Sequence, residues 1–224
     1  NKTGSIGVPC PGTEVRVEDD GELSFKGANI MKGYYNNPEA NAEVFDGDWF
    51  KTGDLGRIDE DGYIHITGRK KEIYVSSGGK NVAPLVIEET MKSIPILSQF
   101  FLVGDGRKYC SALVTLDVGV ILRDNLGMNP DKVPKDPIEQ IEELERRGHK
   151  LSDFVESEEI RSDIESQIME LNKRFMNPEQ VKKFTILPRD LNIDSGELTP
   201  TLKIRRKQIR ENWADEIEAM YSDA

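Results

Sequence analysis

The sequence predicts an α+β protein in two parts: a small β-barrel-like N-terminal part over residues 1–69 and a compact α+β domain over residues 70–224. Three observations lead there. Short alternating runs separated by Asp-Gly turns fill the first 68 residues, a helical apolar stripe begins at Ile160, and the composition changes at the basic corner Gly68-Arg69-Lys70-Lys71. Domain boundaries fall where composition shifts, so a boundary with a hinge near Lys71 is expected.

In chain order, Glu14-Val-Arg-Val17 and Glu22-Leu-Ser-Phe25 alternate in the period of two of half-buried strands, with turns at Asp20-Gly21, Asp46-Gly47 and Asp61-Gly62. The first 68 residues therefore read as all-β, a small barrel or sandwich. Tyr63 to Thr67 alternates as well, with Ile64 and Ile66 on one side and His65 on the other, where His65 reads as packing rather than catalysis. Lys71 to Ser76 with the following glycines reads as a hairpin, Leu85 to Ile94 as a helix, and Phe100 to Gly104 and Ser111 to Asp117 as strands joined at Asp105-Gly106. Proline and charge dominate Asp131 to Lys150. Ile138, Ile141 and Leu144 mark a short helix there, in what is expected to be a surface excursion outside the core. Ile160, Ile164, Ile168, Leu171 and Phe175 share one helical stripe, with Ser157 as N-cap and Asn177-Pro178 as the stop. Phe184 to Leu187 reads as a strand, and Ile209, Trp213, Ile217 and Met220 as one C-terminal helix.

A net charge of −11 argues against general attraction to nucleic acid or an anionic membrane. A mean hydropathy of −0.55, with no apolar run of bilayer length, predicts no transmembrane segment. Cys10 and Cys110 lie far apart and the only histidines are His65 and His149, which suggests neither a disulfide framework nor a zinc site and fits a reducing cytoplasm. The chain opens Asn1-Lys2-Thr3-Gly4, without an initiator methionine or a targeting segment, and is expected to be part of something longer.

Chemistry concentrates in two places. Asp54, in a Gly53-Asp54 turn, offers two acceptor oxygens, the complement of a ribose diol, and Arg69 supplies a forked donor nearby. Lys203 sits in Thr199-Pro-Thr-Leu-Lys-Ile-Arg-Arg-Lys207, read as the cation-crowded first turn of a helix. Cations there, and Asp215, Glu216 and Glu218 near the far end, oppose the helix dipole, an arrangement that a bound phosphate or carboxylate would reverse. Ser76-Ser-Gly-Gly-Lys-Asn81 is not a Walker loop, because Tyr74 and Asn81 break its pattern. Arg57 to Gly68 fails as a calcium loop for want of the first and twelfth ligands. No Ser/His/Asp or Cys/His nucleophile set is present.

Taken together, Trp49 to Glu72, Thr3-Gly-Ser-Ile-Gly7, Gly33-Tyr-Tyr-Asn-Asn-Pro-Glu-Ala40, Ser77-Gly-Gly-Lys-Asn81 and Leu198 to Lys203 resemble the adenylate-forming ligase superfamily over nearly the whole chain. Pro-Thr-Leu-Lys and the long excursion after Asp117 look like its long-chain acyl-CoA synthetase branch. Many members have glycine where this chain has Leu202. The resemblance implies an AMP-forming acid–thiol ligase with a fatty acid, ATP with its Mg²⁺, and coenzyme A as substrates. It also implies that Asp54 and Arg69 hold ribose, that Lys203 holds the carboxylate and α-phosphate oxygens, and that Lys71 is the hinge. Gly78 and Gly79 would line the pantetheine path. The superfamily's phosphate loop and adenine-contacting segment are not in this sequence, so the chain alone is expected to be inactive. Activation of another carboxylate, delivery to a carrier protein, and a non-catalytic docking module are the competing readings.

Overall fold

The computed structural model describes residues 2–222. They form two compact units: the first runs to Tyr74 and takes in Ala83–Val86, and the second comprises Val75–Val82 and everything from Ile87 onward.

The first unit is a curled antiparallel half-barrel of β1 (Thr13–Val17), β2 (Glu22–Gly27), β3 (Phe45–Asp46), β4 (Trp49–Ile58) and β5 (Ile64–Arg69). The long β4 carries β2 on one edge, and β3 followed by β5 on the other. Leu23 and Ile64 are buried on its inner face. His65 is structural, as its alternation suggests: Nε2 lies 2.9 Å from Asp59 Oδ2 and Nδ1 3.0 Å from the Gly4 carbonyl. Lys2 and then His65 hold the Asp59 carboxyl well below its ordinary range.

The unit is not all-β. Pro38–Val44 is a helix, α1, because Asn37 accepts a hydrogen bond from the Ala40 amide at 3.1 Å and Pro38 presets the first helical residue. Seven residues with none buried leave no apolar period from which to read it.

The second unit centres on a three-stranded sheet, β10-β9-β8. Its members are β8 (Leu97–Val103), β9 (Cys110–Leu116) and β10 (Val181–Ile186), and the two-residue strands β6 (Tyr74–Val75) and β7 (Asn81–Val82) precede them. β9 runs antiparallel to β8 and parallel to β10, and all seven of its residues are buried, as for a central strand covered on both faces. Helix α2 spans Pro84–Met91.

The Asp131–Lys150 excursion departs from expectation. After α3 (Val118–Val120) and a π-helical turn (Ile121–Asn125), helix α4 (Pro137–Arg146), capped by Asp136, leaves Ile138 exposed but buries Leu144 completely. Surface charge dominates the composition, yet one fully buried leucine ties the segment into the core. Helix α5 (Leu151–Val155) then leads to α6 (Glu158–Asn172), where Ser157 caps the Ile160 amide and Ile160, Ile164 and Ile168 are buried, while Phe175 falls beyond the helix end.

The C-terminal helix is two helices, α7 (Arg206–Asn212) and α8 (Ala214–Ala219), broken at Trp213. The break matters electrostatically: Asp215 and Glu216 lie in the first turn of α8, where the helix dipole favours them rather than opposing them.

Both cysteines are free; Cys10 is exposed and Cys110 buried. Burial pushes the Cys110 thiol up to about 11 and the Tyr221 hydroxyl up to about 12. Each folded-state value lies above that of the unfolded chain, about 8.5 for a thiol and 10 for tyrosine. The stabilisation they confer is therefore complete below about pH 8.5 and is lost as pH rises toward 11 and 12. The Tm is expected to fall over that interval in a thermal-melt series. Cys110→Ala should flatten the fall between about pH 8.5 and 10; an unchanged slope would contradict the assignment.

Candidate functional site

In the first unit the β4–β5 register sets Asp54 directly opposite Arg69. Arg69 Nε lies 3.0 Å from Asp54 Oδ1, with the Asp54 side chain 23% and the Arg69 side chain 59% exposed. Part of the Arg69 fork is thus engaged by Asp54 itself, which orients the carboxylate and leaves Oδ2 without a donor among the described residues.

The turn that presents Asp54 is built from within. Gly53 takes φ +75°, a conformation glycine adopts without steric cost, and its amide donates to Glu22 Oε1 at 2.8 Å. The Thr52 hydroxyl donates to the Leu23 carbonyl at 2.8 Å and accepts from the Asp54 amide at 3.0 Å. Glu22 is only 5% exposed, and Lys70 Nζ, 2.9 Å from its Oε2, also reaches Asp20 at 2.6 Å. Asp20 first, then Glu22, hold the Lys70 ammonium above its ordinary range. Sequence reading passed over Glu22 and Lys70. Their signal, an acid at a strand start and a second base after Arg69, is common in solvated turns. Beside this pair an open recess of about 470 Å³ is lined by Tyr34, Glu43, Phe50 and Thr52 together with Arg69 and Lys71. Lys71 itself is 86% exposed and, among the described residues, held only by a 3.3 Å ion pair to Glu43, a tether of low energy in water.

Lys203, Gly78 and Gly79 belong to the second unit. Gly78 and Gly79 form the exposed tip of a turn closed by Ser76, whose carbonyl accepts from the Gly79 amide at 2.8 Å. A Cβ on Gly79 would meet nothing within 4 Å, so the tip is open.

Lys203 does not lie in the first turn of a helix: α7 begins at Arg206 with Arg205 as an uncapped N-cap, and no threonine caps it. It occupies a separate tight turn instead. The Thr199 amide donates to the Lys203 carbonyl at 2.9 Å, the Leu202 amide to the Thr199 carbonyl at 2.8 Å, and the Lys203 amide to Thr199 Oγ1 at 3.0 Å. An antiparallel bridge between Leu198 and Ile204 closes the base. Leu202 takes φ +60°, the left-handed region, which for a residue with a Cβ costs about 1–2 kcal/mol.

The cation cluster resolves into engaged and free groups. Arg206 binds Glu88 through two 2.7 Å hydrogen bonds, and Lys207 lies 3.7 Å from Glu211. Lys203 is exposed, and among the described residues it has no carboxylate partner within ion-pair distance.

Beneath the turn lies a buried network absent from the sequence reading. Glu197, fully buried, accepts from both terminal nitrogens of Arg189 (2.7 and 2.8 Å), the Asn192 amide (3.1 Å), Asn212 Nδ2 (3.1 Å) and Trp213 Nε1 (2.8 Å). Burial opposes its ionisation most strongly, but Arg189 and then Asn212 outweigh it, and Glu197 titrates below its ordinary value. The Arg205 amide donates to the Glu197 carbonyl at 2.8 Å, so both ends of the Lys203 turn are tied to this residue.

A half-barrel carrying a paired aspartate and arginine, with a second α+β unit that displays one unengaged lysine on a closed turn, has the fold of the adenylation enzymes. The A domain of the carboxylic acid reductase from Segniliparus rugosus, solved in complex with AMP and a co-purified carboxylic acid, matches 96% of this chain and 32% of its own at a TM-score of 0.68 and 22% identity. O-succinylbenzoate coenzyme A synthetase (MenE) from Bacillus subtilis, in complex with the acyl-adenylate intermediate OSB-AMP, matches 93% and 36% at a TM-score of 0.60 and 23% identity.

The sequence carries the assignment further. Residues 144–224 match the family described as AMP-binding enzyme C-terminal domain. Long-chain-fatty-acid–CoA ligase FadD15 of Mycobacterium tuberculosis is 39% identical over 226 residues, covering 99% of this chain and 34% of that protein. Long-chain-fatty-acid–CoA ligase ACSBG2 of Gallus gallus is 36% identical over 209 residues, covering 91% and 27%. The chain thus resembles long-chain-fatty-acid–CoA ligases over nearly its whole length and carries an AMP-binding enzyme C-terminal domain at residues 144–224, and it spans about a third of the length of the curated relatives it matches.

Proposed function

We propose that this chain is the C-terminal working part of a ligase that activates a fatty acid with ATP and passes the acyl group to coenzyme A. In the first step a carboxylate oxygen attacks the α-phosphorus and pyrophosphate departs. In the second the thiol sulfur attacks the acyl carbonyl carbon, its proton is released, and the bond to AMP breaks. Asp54, oriented by Arg69, accepts the ribose hydroxyls, and Lys203 offsets the negative charge shared between carboxylate and phosphate oxygens. Lys71 is the hinge between an adenylating and a thioester-forming pose. The weakness of its ion pair to Glu43 suits a residue that must let go. Gly78 and Gly79 present an open backbone tip past which pantetheine runs. Magnesium arrives with ATP as part of the substrate. No helix among the described residues is long and apolar enough to cross a membrane. The two free cysteines suit a reducing cytoplasm.

The observation that carries this reading is the Lys203 turn, a closed and internally bonded loop whose ammonium has no carboxylate partner among the described residues while its neighbour Arg206 is tied down. The test uses the full-length ligase. Asp54→Ala is expected to raise the KM for ATP by about 10-fold or more, through loss of charge-assisted hydrogen bonds, with a smaller effect on the KM for fatty acid. An unchanged KM for ATP would contradict the ribose assignment. Thioester assays offering coenzyme A against a carrier protein identify the acceptor, and the isolated chain is expected to form no acyl-CoA. Full activity of both Asp54→Ala and Lys203→Ala would favour a docking role instead.

A further inference from the structure

Leu202 is doubly anomalous. Its φ of +60° is a conformation that disfavours branched side chains, and the side chain is 69% exposed, so the strained backbone is not offset by burial within its own unit. The turn needs the left-handed conformation at this position, because the Leu202 amide closes onto the Thr199 carbonyl while Lys203 returns to Thr199. Glycine would supply that conformation without strain, and asparagine nearly so. A leucine held there against both its backbone preference and its hydrophobicity, immediately before an unpartnered ammonium, marks a side chain used when the turn meets something else.

We propose that Leu202 is an apolar shield: when Lys203 engages the acyl-adenylate, the leucine side chain covers the mixed anhydride and keeps water from it. This rests on the assignment of Lys203 above and adds a task to the same turn. The leak it suppresses is hydrolysis, in which water oxygen adds to the acyl carbonyl carbon, the bond from that carbon to the phosphate oxygen breaks, and fatty acid and AMP leave with release of a proton. A dry surrounding also strengthens the attraction between the ammonium and the anionic intermediate. Leu202 touches no reacting bond in this scheme; it acts by exclusion and positioning.

The test is a coupling ratio in the full-length ligase: AMP formed from ATP and fatty acid without coenzyme A, against acyl-CoA formed with it, for wild type, Leu202→Gly, Leu202→Asn and Leu202→Met. Glycine and asparagine suit the turn but remove the apolar cover. Methionine keeps the cover. The expected result is a several-fold rise in uncoupled AMP release for Leu202→Gly and Leu202→Asn, with Leu202→Met close to wild type and no loss of thermal stability in the glycine variant. Equal leakage in all four proteins overturns the shield, as does leakage in the glycine variant alone, which would assign the effect to loop stiffness. Absence of acyl-adenylate in the wild type, or full adenylation by Lys203→Ala, overturns the underlying assignment as well. The two failures are thereby separated.

Discussion

Replacing Lys203 by alanine in the full-length ligase is expected to lower acyl-adenylate formation by about 10²–10³-fold, the usual consequence of removing one preorganised donor from developing charge. Thioester formation from supplied acyl-adenylate should stay within about threefold of wild type, since the second half-reaction releases the phosphate rather than bonding to it. Pyrophosphate exchange reads the first step, and acyl-CoA formation from synthetic acyl-adenylate reads the second. The expectation follows from where the turn places its charges. Arg206 is fixed on Glu88 and Lys207 sits beside Glu211, whereas the exposed Lys203 ammonium has no carboxylate partner among the described residues. Because the backbone of the turn is closed by its own amides, truncating the side chain removes charge without unfolding the loop. Equal losses in both half-reactions would mean that Lys203 supports the fold or binds a group common to both steps.

The largest effect on stability is expected at Glu197. Its carboxylate gathers five hydrogen bonds from four residues, and Glu197→Ala leaves the Arg189 guanidinium, the Trp213 indole and two further donors facing a void. Removing one partner of a buried, hydrogen-bonded ion pair costs about 3–5 kcal/mol, and the partial exposure of Arg189 places this case near 3 kcal/mol. Glu197→Gln keeps the shape and some acceptors, so it should fall between alanine and wild type. Denaturant titration of the three proteins tests the order. Adenylation by the glutamine variant should fall with little change in acyl-adenylate-dependent thioester formation, because the Glu197 carbonyl and the Leu198–Ile204 bridge hold the base of the Lys203 turn. An alanine variant as stable as wild type would remove Glu197 from the account.

The difference between what was legible and what was not follows from the range of each interaction. Ser157 and the isoleucines of α6 were readable because cap and stripe repeat within one or two helical turns. The strands and hairpin turns of the N-terminal sheet were readable from alternation and Asp-Gly pairs, whereas α1 was too short and too exposed to leave a period. The C-terminal break was hidden because Ile209, Trp213 and Ile217 keep helical spacing across it, while Trp213 at the break donates a tertiary hydrogen bond to Glu197 that no local pattern announces. Leu144 shows the same limit: a charge-rich segment reads as surface, yet one leucine is enough to anchor it.

The site divides in the same way. Asp54, Arg69 and Lys203 were singled out by residue type and motif, and the Asp54–Arg69 pairing follows from strand register. Glu22, Glu88 and Glu197, the buried carboxylates that set the surrounding geometry, were not. The partner of Glu88, Arg206, lies 118 positions away, and no local pattern announces such a pairing. Buried acids of this kind carry no periodic signature, and the strain at Leu202 becomes visible only once its backbone is seen.

The central claim is that the Lys203 ammonium serves one half-reaction and one pose. The most direct measurement is a set of crystal structures of the full-length ligase trapped with a non-hydrolysable acyl-adenylate mimic, alone and with coenzyme A. The account expects Lys203 Nζ within hydrogen-bond distance of the mimic's carboxylate and phosphate oxygens in the adenylating pose and withdrawn from them in the other. An ammonium remote from those oxygens in every captured state would contradict it.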